Sequence, residues 1–336
     1  MTEKRLSLEE AHLICVNALR AHNTSDINAE LVAKAIVAAE ADGLRGHGLS
    51  RLPSYSAQAA SGKVNGQVQP TSTQVADAAL RIDARNGFAY PALALAVEKL
   101  CATIPNAGIA VAAVAHSHHC GAAGYHVEAL AQKGLIGLLF ANTPKAIAPW
   151  GGGQGVFGTN PIAFAAPRNG HNPLVIDLSL SKVARGKIMV AEQEAKPIPE
   201  SWALNDHGKP TTDPKAAMAG TMLPMGGAKG AALVLMVEVF AAALTAAHFG
   251  FEASSFFTAE GEPPGVGQLL IAIAPMPLSG DAFNERLEIL LTAILKQENT
   301  RLPGDRRLRL RQAAQKKGIV ITEQQYDQLV ALGHSA

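Results

Sequence analysis

The run Arg45-Gly46-His47-Gly48-Leu49-Ser50-Arg51-Leu52-Pro53-Ser54-Tyr55 sets an imidazole, a guanidinium and a phenol at four-residue intervals. A helix from Gly48 onward would put His47, Arg51 and Tyr55 on one face. Imidazole moves a proton near neutral pH. Guanidinium grips a carboxylate through two parallel hydrogen bonds, and a phenol can orient the other end of a small acid. Such a face suits a 2-oxo or 2-hydroxy acid. The plainer alternative leaves His47 capping a helix and Arg51 in water. A second group, His116-Ser117-His118-His119-Cys120-Gly121, ends an apolar β-branched stretch, and His126 follows it. So many imidazoles raise the question of a metal. There is, however, no His-x-x-x-His on one helix and no nearby carboxylate pair, and adjacent His118 and His119 point to opposite sides of an extended chain. No metal site is expected, and His116 and His118 read as polar loop residues.

Three further segments carry chemistry. Gly153-Gln154-Gly155-Val156-Phe157-Gly158 matches G-x-G-x-x-G, and Asp177 follows at about the distance of a ribose-binding acid. Yet Thr159-Asn160-Pro161 comes at once, with no room for the long helix that a Rossmann turn requires. A glycine-rich turn beside a ligand is the better expectation. Asp177-Leu178-Ser179 leaves a buried strand, where amides and hydroxyls can hold a nicotinamide amide or a phosphate; an ordinary helix cap is the alternative. Lys229 lies in Gly226-Gly227-Ala228-Lys229-Gly230, at a helix start suited to an anion, or as a solvated lysine beside a turn.

The elements that must position these residues are legible in outline. Ser7 and Glu10 form a capping box that opens a helix to about residue 22. A second helix spans about 27–42, stopped by Gly43, and a third ends near Gly62. Short strands at 79–83, 109–115, 135–141, 162–166, 174–178 and 269–274 alternate with helices at 91–101 and 125–132. Residues 191–222 read as a polar excursion over the surface, residues 231–247 as a buried core helix, and 281–297, 305–317 and 322–332 as closing helices.

The 336 residues are enough for two domains, and 48% apolar content supports a sizeable core. Charge is nearly balanced at 29 basic against 28 acidic residues, which argues against nucleic acid or an anionic membrane as partner. Aromatics at 5% are too sparse for base-stacking platforms. Cys15, Cys101 and Cys120 are odd in number and far apart, as in a reducing compartment. The charged amino end is not a signal peptide, and the longest apolar stretch, broken by Glu238, is short for a membrane span of about 20 residues. A cytoplasmic protein is expected.

The His47 run resembles the amino-terminal segment of the malate/L-lactate dehydrogenase-like oxidoreductases, although Gly46 stands where that family usually has Ser. Gly158-Thr159-Asn160-Pro161, His119-Cys120-Gly121, Gly-x-Lys-Gly around Lys229 and Arg301-Leu302-Pro303-Gly304-Asp305 resemble further motifs of the family in the same order, from Leu6 to about Val330. The resemblance implies an α/β fold without a Rossmann sheet. A central, mostly antiparallel sheet domain (residues 76–280) would bind NAD(P) and substrate, beside a helical domain built from both chain ends (1–75 with 281–336). It implies NADP or NAD as cofactor, NADP favoured, a homodimer, and a small anionic substrate. His47 and His119 would be the catalytic imidazoles. Arg51, Tyr55, Thr159, Arg185 and Gly186 would bind substrate. His119, Cys120, Gly121, Ala122, Ala123, Asp177, Leu178, Ser179, Ala228, Lys229, Arg301, Pro303, Gly304 and Asp305 would hold the cofactor.

Two branches of the family compete. One interconverts 2-oxo and 2-hydroxy acids such as malate, lactate and sulfolactate. The other reduces the cyclic imines Δ1-piperideine-2-carboxylate and Δ1-pyrroline-2-carboxylate. Gly46 and Lys187 stand where the imine branch has its Ser and Asp, and Lys182, Arg185 and Lys187 concentrate positive charge suited to a second anion. The sequence therefore looks most like the sulfolactate/malate side. A non-enzymatic binding protein on the same scaffold is the third reading.

Overall fold

The computed structural model describes residues 2–334. Strand β1 (Glu3–Leu6) leads into α1 (Leu8–Ala21) through the expected capping box: the Glu10 amide donates to Ser7 Oγ at 3.0 Å, and the Ser7 amide to Glu10 Oε2 at 2.7 Å. Helix α2 (Asp26–Ala41) buries a face rich in alanine, which lets α1 approach closely. The chain does not enter a helix at Gly48 as expected. It makes two 3-10 turns, Arg45–His47 and Leu49–Arg51, before α3 (Leu52–Ser61). The cause is buried Glu40, whose Oε2 accepts the Leu49 amide at 2.9 Å, and a Cβ on Gly48 would collide with that carboxylate.

Strands β2 (Thr71–Ala76) and β3 (Ala79–Asp83) form a hairpin, followed by α4 (Ala89–Ala107) and β4 (Ile109–Ser117). Next come α5 (Ala123–Ala131), β5 (Ile136–Ala141), β6 (Ile162–Ala166) and β7 (Leu174–Leu178). Residues 191–222 are not a mere surface excursion. They begin in the last turn of α6 (Arg185–Gln193) and fold β8 (Ala203–Leu204), α7 (Pro214–Ala219) and β9 (Thr221–Met222) around buried Ile198, Ala217 and Met222. Helix α8 (Ala228–Glu238) gives way to a π-helical turn at Val239–Ala243. It is half-buried rather than a core helix, since Val234 and Val237 face the sheet while Leu235, Met236, Val239 and Leu244 are exposed. Strand β10 (Val266–Ile273), α9 (Met276–Ser279), α10 (Ala282–Leu295), α11 (Asp305–Lys317), β11 (Ile319–Thr322) and α12 (Glu323–Leu332) complete the chain. No helix among the described residues is long and apolar enough to cross a membrane.

Seven strands form one mixed sheet in the order β2-β3-β4-β10-β5-β6-β7, and every pairing except β3–β4 is antiparallel. Its central strand is buried on both faces, so it reads as a continuous apolar run. Leu270 and Ala272 pack with Leu93, Leu100, Val127 and Leu130 of α4 and α5, and Leu269 turns the other way, toward Val234 and Val237. A third core joins the chain ends. There β1 pairs with β11, and Cys15, Leu19 and Ile36 pack with Ile319, Ile321 and Leu329.

One ionic network ties this terminal assembly to the sheet. Arg311 Nε lies 2.6 Å from Asp42 Oδ1 and its Nη2 2.9 Å from Glu128 Oε2, while Arg307 Nη1 reaches Glu128 Oε2 at 2.7 Å and Asp42 Oδ2 at 2.9 Å. The network thus joins α11, the end of α2, and α5. The guanidinium groups hold the Glu128 carboxyl below its ordinary range despite its burial. Because both carboxylates are buried, Glu128→Ala leaves two guanidinium groups with one partner. It should cost about 3–5 kcal/mol of stability, read as a lowered urea midpoint, and an unchanged midpoint would show that the tie carries no weight.

Candidate active site

The 3-10 turns bring His47 and Arg51 against the loop that follows β4. The His47 ring stacks on His119 with centroids 5.2 Å apart and planes 24° apart. Arg51 Nε donates to the Gly46 carbonyl at 2.7 Å, and the Phe257 ring covers its guanidinium at 4.6 Å. Arg51 Nη1 and His47 Nδ1 are buried without a hydrogen-bonding partner. Burial, and then the nearby Arg51 cation, lower the His47 pKa to about 4, so the ring is neutral at pH 7.

Tyr55, a candidate substrate contact, is fully buried, and its hydroxyl lies 2.6 Å from His119 Nδ1 and 3.2 Å from the Tyr90 hydroxyl. Burial pushes its pKa up to about 12, so the group is an uncharged phenol that braces His119. His118 is not a polar loop residue as expected; it is 1% exposed. Its Nε2 donates to Gln58 Oε1 at 2.8 Å, and its ring meets Tyr55, Phe88 and Phe256 edge-on. Gln58 selects this tautomer, because an amide oxygen only accepts. His118 and His119 both contact Tyr55 and Phe256; they lie beyond the end of β4 at Ser117, after the backbone has left the extended path at His116, φ +49°. Gly121 has φ +67°, and a Cβ there would strike the Tyr90 hydroxyl. His116 does lie at the surface, 3.0 Å from Asp83. His126 is buried, with Nε2 2.9 Å from the Cys120 carbonyl.

A cleft of about 570 Å³ opens beside His47. Ala122, Asp177, Ser179, Arg301, Pro303 and Gly304 line it, as do Arg306 and Arg307 at the end of the same run and the unforeseen Asp42. Ala122 and Ala123 start α5, and Asp177 Oδ2 accepts the Gly124 amide in its first turn at 2.7 Å. Cys120 and Gly121 form the turn just before them, while Leu178 is held in the β6–β7 pairing. Asp305 caps its own turn by accepting the Leu302 amide at 2.9 Å. Ala228 and Lys229 open α8, away from this lining, where Gly227 packs against Trp150. Gly153–Gly158 forms no strand–turn–helix. It is a loop between β5 and β6 in which Phe157 pairs with Ile147 and Gly158 packs on Thr143.

The Thr159 amide donates to Thr143 Oγ1 at 2.9 Å, and its carbonyl accepts from Leu180. Arg185 and Gly186 begin α6. Arg185 donates to the Met218 carbonyl at 3.0 Å, and burial lowers its pKa. Lys182 and Lys187 are exposed. Buried Glu238 holds the neighbouring turn: Asn160 Nδ2 donates to its Oε2 at 2.6 Å and the Gly250 amide to its Oε1 at 2.7 Å. The signal for Glu238 was present in the sequence as a lone acid inside an apolar helix.

The chain matches the malate/L-lactate dehydrogenase family over residues 6–330. It is 53% identical over 308 residues to the (2R)-3-sulfolactate dehydrogenase (NADP(+)) of Chromohalobacter salexigens, covering 92% of each chain. It is 40% identical to the Δ1-pyrroline-2-carboxylate/Δ1-piperideine-2-carboxylate reductase of Pseudomonas putida, covering 98% of this chain and 97% of that one. The solved Δ1-piperideine-2-carboxylate reductase of Pseudomonas syringae pv. tomato superposes with a TM-score of 0.93 at 38% identity, covering 98% and 99%. The fold and the site therefore define an oxidoreductase. The chain belongs to the malate/L-lactate dehydrogenase family.

Desolvation lowers the pKa of His118 to about 3 and of His126 to about 4. Both rings are neutral when folded but protonate near pH 6.5 when unfolded. The unfolded state thus binds more protons below that pH. Their contribution is complete above about pH 6.5 and is lost as pH falls toward 4 and 3, on the order of a few kcal/mol. Urea midpoints should fall between pH 7 and 5, and His126→Gln should flatten that slope. An identical slope in the variant contradicts the assignment.

Proposed function

We propose that the chain interconverts an anionic 2-oxo acid and its 2-hydroxy acid with NADP or NAD, in the manner of a sulfolactate or malate dehydrogenase. One observation carries this reading: His47 lines the cleft and feels the Arg51 charge, and both groups hold a buried polar atom with no partner. The cleft residues suit a dinucleotide. The volume is right for such a ligand, Gly124 and Gly304 remove side-chain bulk, and Arg301 and Arg306 offer charge to its phosphates. We read this as a dinucleotide site outside any Rossmann turn, because it sits at the α5 start and the 301–310 segment rather than at Gly153–Gly158.

When bound there, a reduced nicotinamide supplies the hydride. Arg51 takes the substrate carboxylate. Its Nε is fixed by Gly46 and its face is covered by Phe257, so its orientation is set before binding. Hydride arriving at C2 leaves negative charge growing on the carbonyl oxygen, and His47 is the general acid that meets it. In the empty site burial and Arg51 keep His47 neutral. A bound carboxylate offsets the Arg51 charge and so raises the proton affinity of His47, the direction a general acid requires. His119, braced by Tyr55, is the second imidazole beside the reacting carbon.

Arg185 is our candidate for a second substrate anion, as a partly desolvated cation with no carboxylate partner among the described residues, and it lies outside the lining of the cleft beside His47. A second reading, cyclic imine reduction, draws on the Pseudomonas reductases. We also read the protein as a cytoplasmic homodimer, a second copy covering the exposed Leu235, Met236, Val239 and Leu244.

A spectrophotometric screen of NADPH and NADH oxidation should show sulfopyruvate and oxaloacetate turning over faster than pyruvate and piperideine-2-carboxylate. Preference for the imine would select the second reading. Arg51→Lys retains charge but loses the fork, and should cost about 2–5 kcal/mol in kcat/KM; unaltered efficiency ends that assignment. His47→Asn should sharply lower kcat while NADPH still binds by fluorescence. If His47→Asn turns over normally and His119→Asn does not, the two imidazoles exchange roles.

A further inference from the structure

Lys63 follows α3 and is 3% exposed, yet among the described residues no carboxylate forms a salt bridge with it, and Glu260 acts on it only through its charge at longer range. Its ammonium is enclosed by backbone. Nζ donates to the carbonyls of Ser255 at 2.8 Å, Glu260 at 2.9 Å and Thr258 at 3.1 Å, and lies 3.4 Å from Thr258 Oγ1. These oxygens belong to one segment, residues 255–260, which has no regular secondary structure to hold it. Two neighbours on α3 add to the grip: Gln58 Nε2 donates to the Thr258 carbonyl at 3.0 Å, and Ser61 Oγ to the Ala259 carbonyl at 2.8 Å. A buried ammonium is costly unless its donors are satisfied. Here they are satisfied only while the segment keeps this shape.

The segment carries two rings into the active site. Phe256 is 5% exposed and packs on His118 and His119, with centroids 5.3 and 5.1 Å away. Phe257 is 58% exposed and lies over the Arg51 guanidinium. It has no core to hold it there, so the backbone on either side must. Gln58 joins the two halves of this arrangement, because its amide nitrogen holds the segment and its oxygen accepts from His118.

We propose that Lys63 is a positioning residue that sets substrate affinity. Its ammonium clamps residues 255–260 so that Phe257 covers Arg51 and keeps water from the guanidinium that receives the carboxylate. This rests on the reading of Arg51 as the carboxylate ligand. A cation whose face is covered by a ring is held in place and partly dehydrated, and its pairing with an anion strengthens accordingly. Lys63 does not line the cleft, so on this proposal its effect passes through Phe257.

The test uses the full-length enzyme with Lys63→Met, which keeps the length of the side chain and removes its donors. Amide hydrogen exchange across 255–260 should quicken, and KM for the 2-oxo acid should rise about five- to tenfold. kcat should change less, and the NADPH dissociation constant read by fluorescence should stay unchanged. Lys63→Arg should restore part of the protection and part of the affinity. Phe257→Ala, at an exposed position that cannot unfold the chain, should raise KM similarly, and adding Lys63→Met to it should raise KM little further. The proposal is overturned if exchange is unaltered in Lys63→Met, if exchange quickens while KM holds, or if Phe257→Ala leaves KM unchanged. Exchange is read without substrate. A chain that turns over no 2-oxo acid yet loosens at 255–260 would therefore count against the substrate reading and not against the clamp.

Discussion

A guanidinium and three imidazoles share one desolvated volume, and that volume can stay closed only while the imidazoles remain uncharged. Arg51 supplies the fixed positive charge. His47, His118 and His119 are each held neutral by burial, with Arg51 acting in the same direction. Their ring nitrogens must then be satisfied as neutral donors and acceptors, which is the task of Gln58 at His118 and of Tyr55 at His119. The atoms left over, His47 Nδ1, His118 Nδ1 and Arg51 Nη1, mark where polar capacity has no protein partner. On the function proposed here, an anionic substrate would meet the Arg51 part of that deficit in charge and in hydrogen bonds together, whereas His118 Nδ1, an acceptor in the tautomer that Gln58 selects, calls for a donor.

Holding such a site needs stiffness from outside it. The antiparallel pairing of β1 with β11 joins the chain ends, and the network of Asp42, Glu128, Arg307 and Arg311 fixes them to α5. That helix starts where the His119 loop ends, and its first turn receives Asp177 from the sheet. The cleft is thus bounded by parts far apart in sequence. Its far wall, at 301–310, reaches the His47 side only because the terminal helices are tied there. Buried charge is used here for geometry more than for stability, since well-packed apolar groups could hold two helices together as firmly.

How the sequence was read correctly, and where it misled, follows from the range of each interaction. The capping box at Ser7 and Glu10 is local, and it formed as spaced. The β-branched and apolar strands formed because sheet burial on one or both faces demands that pattern. The helix expected from Gly48 failed because the side chain of Glu40, nine residues earlier, takes the Leu49 amide and leaves no room for a regular turn. The 231–247 stretch was read as buried throughout, because an apolar face left to solvent looks the same in sequence as one turned to a core. His118 was read as a polar loop residue, and alternation along an extended strand was held against a shared site with His119; both residues lie beyond the end of β4, where strand alternation does not apply.

The sequence by itself determined the residue types able to do this chemistry, their order, the family they resemble and the absence of room for a Rossmann helix after Gly158. Those are matters of local spacing and steric allowance. Only the tertiary structure decided that Tyr55 spends its hydroxyl on His119, that Gln58 sets the His118 tautomer, and that Lys63 closes on carbonyls almost two hundred residues away. Each of these depends on which groups lose water together, and desolvation is a property of the packed molecule that no stretch of chain carries alone.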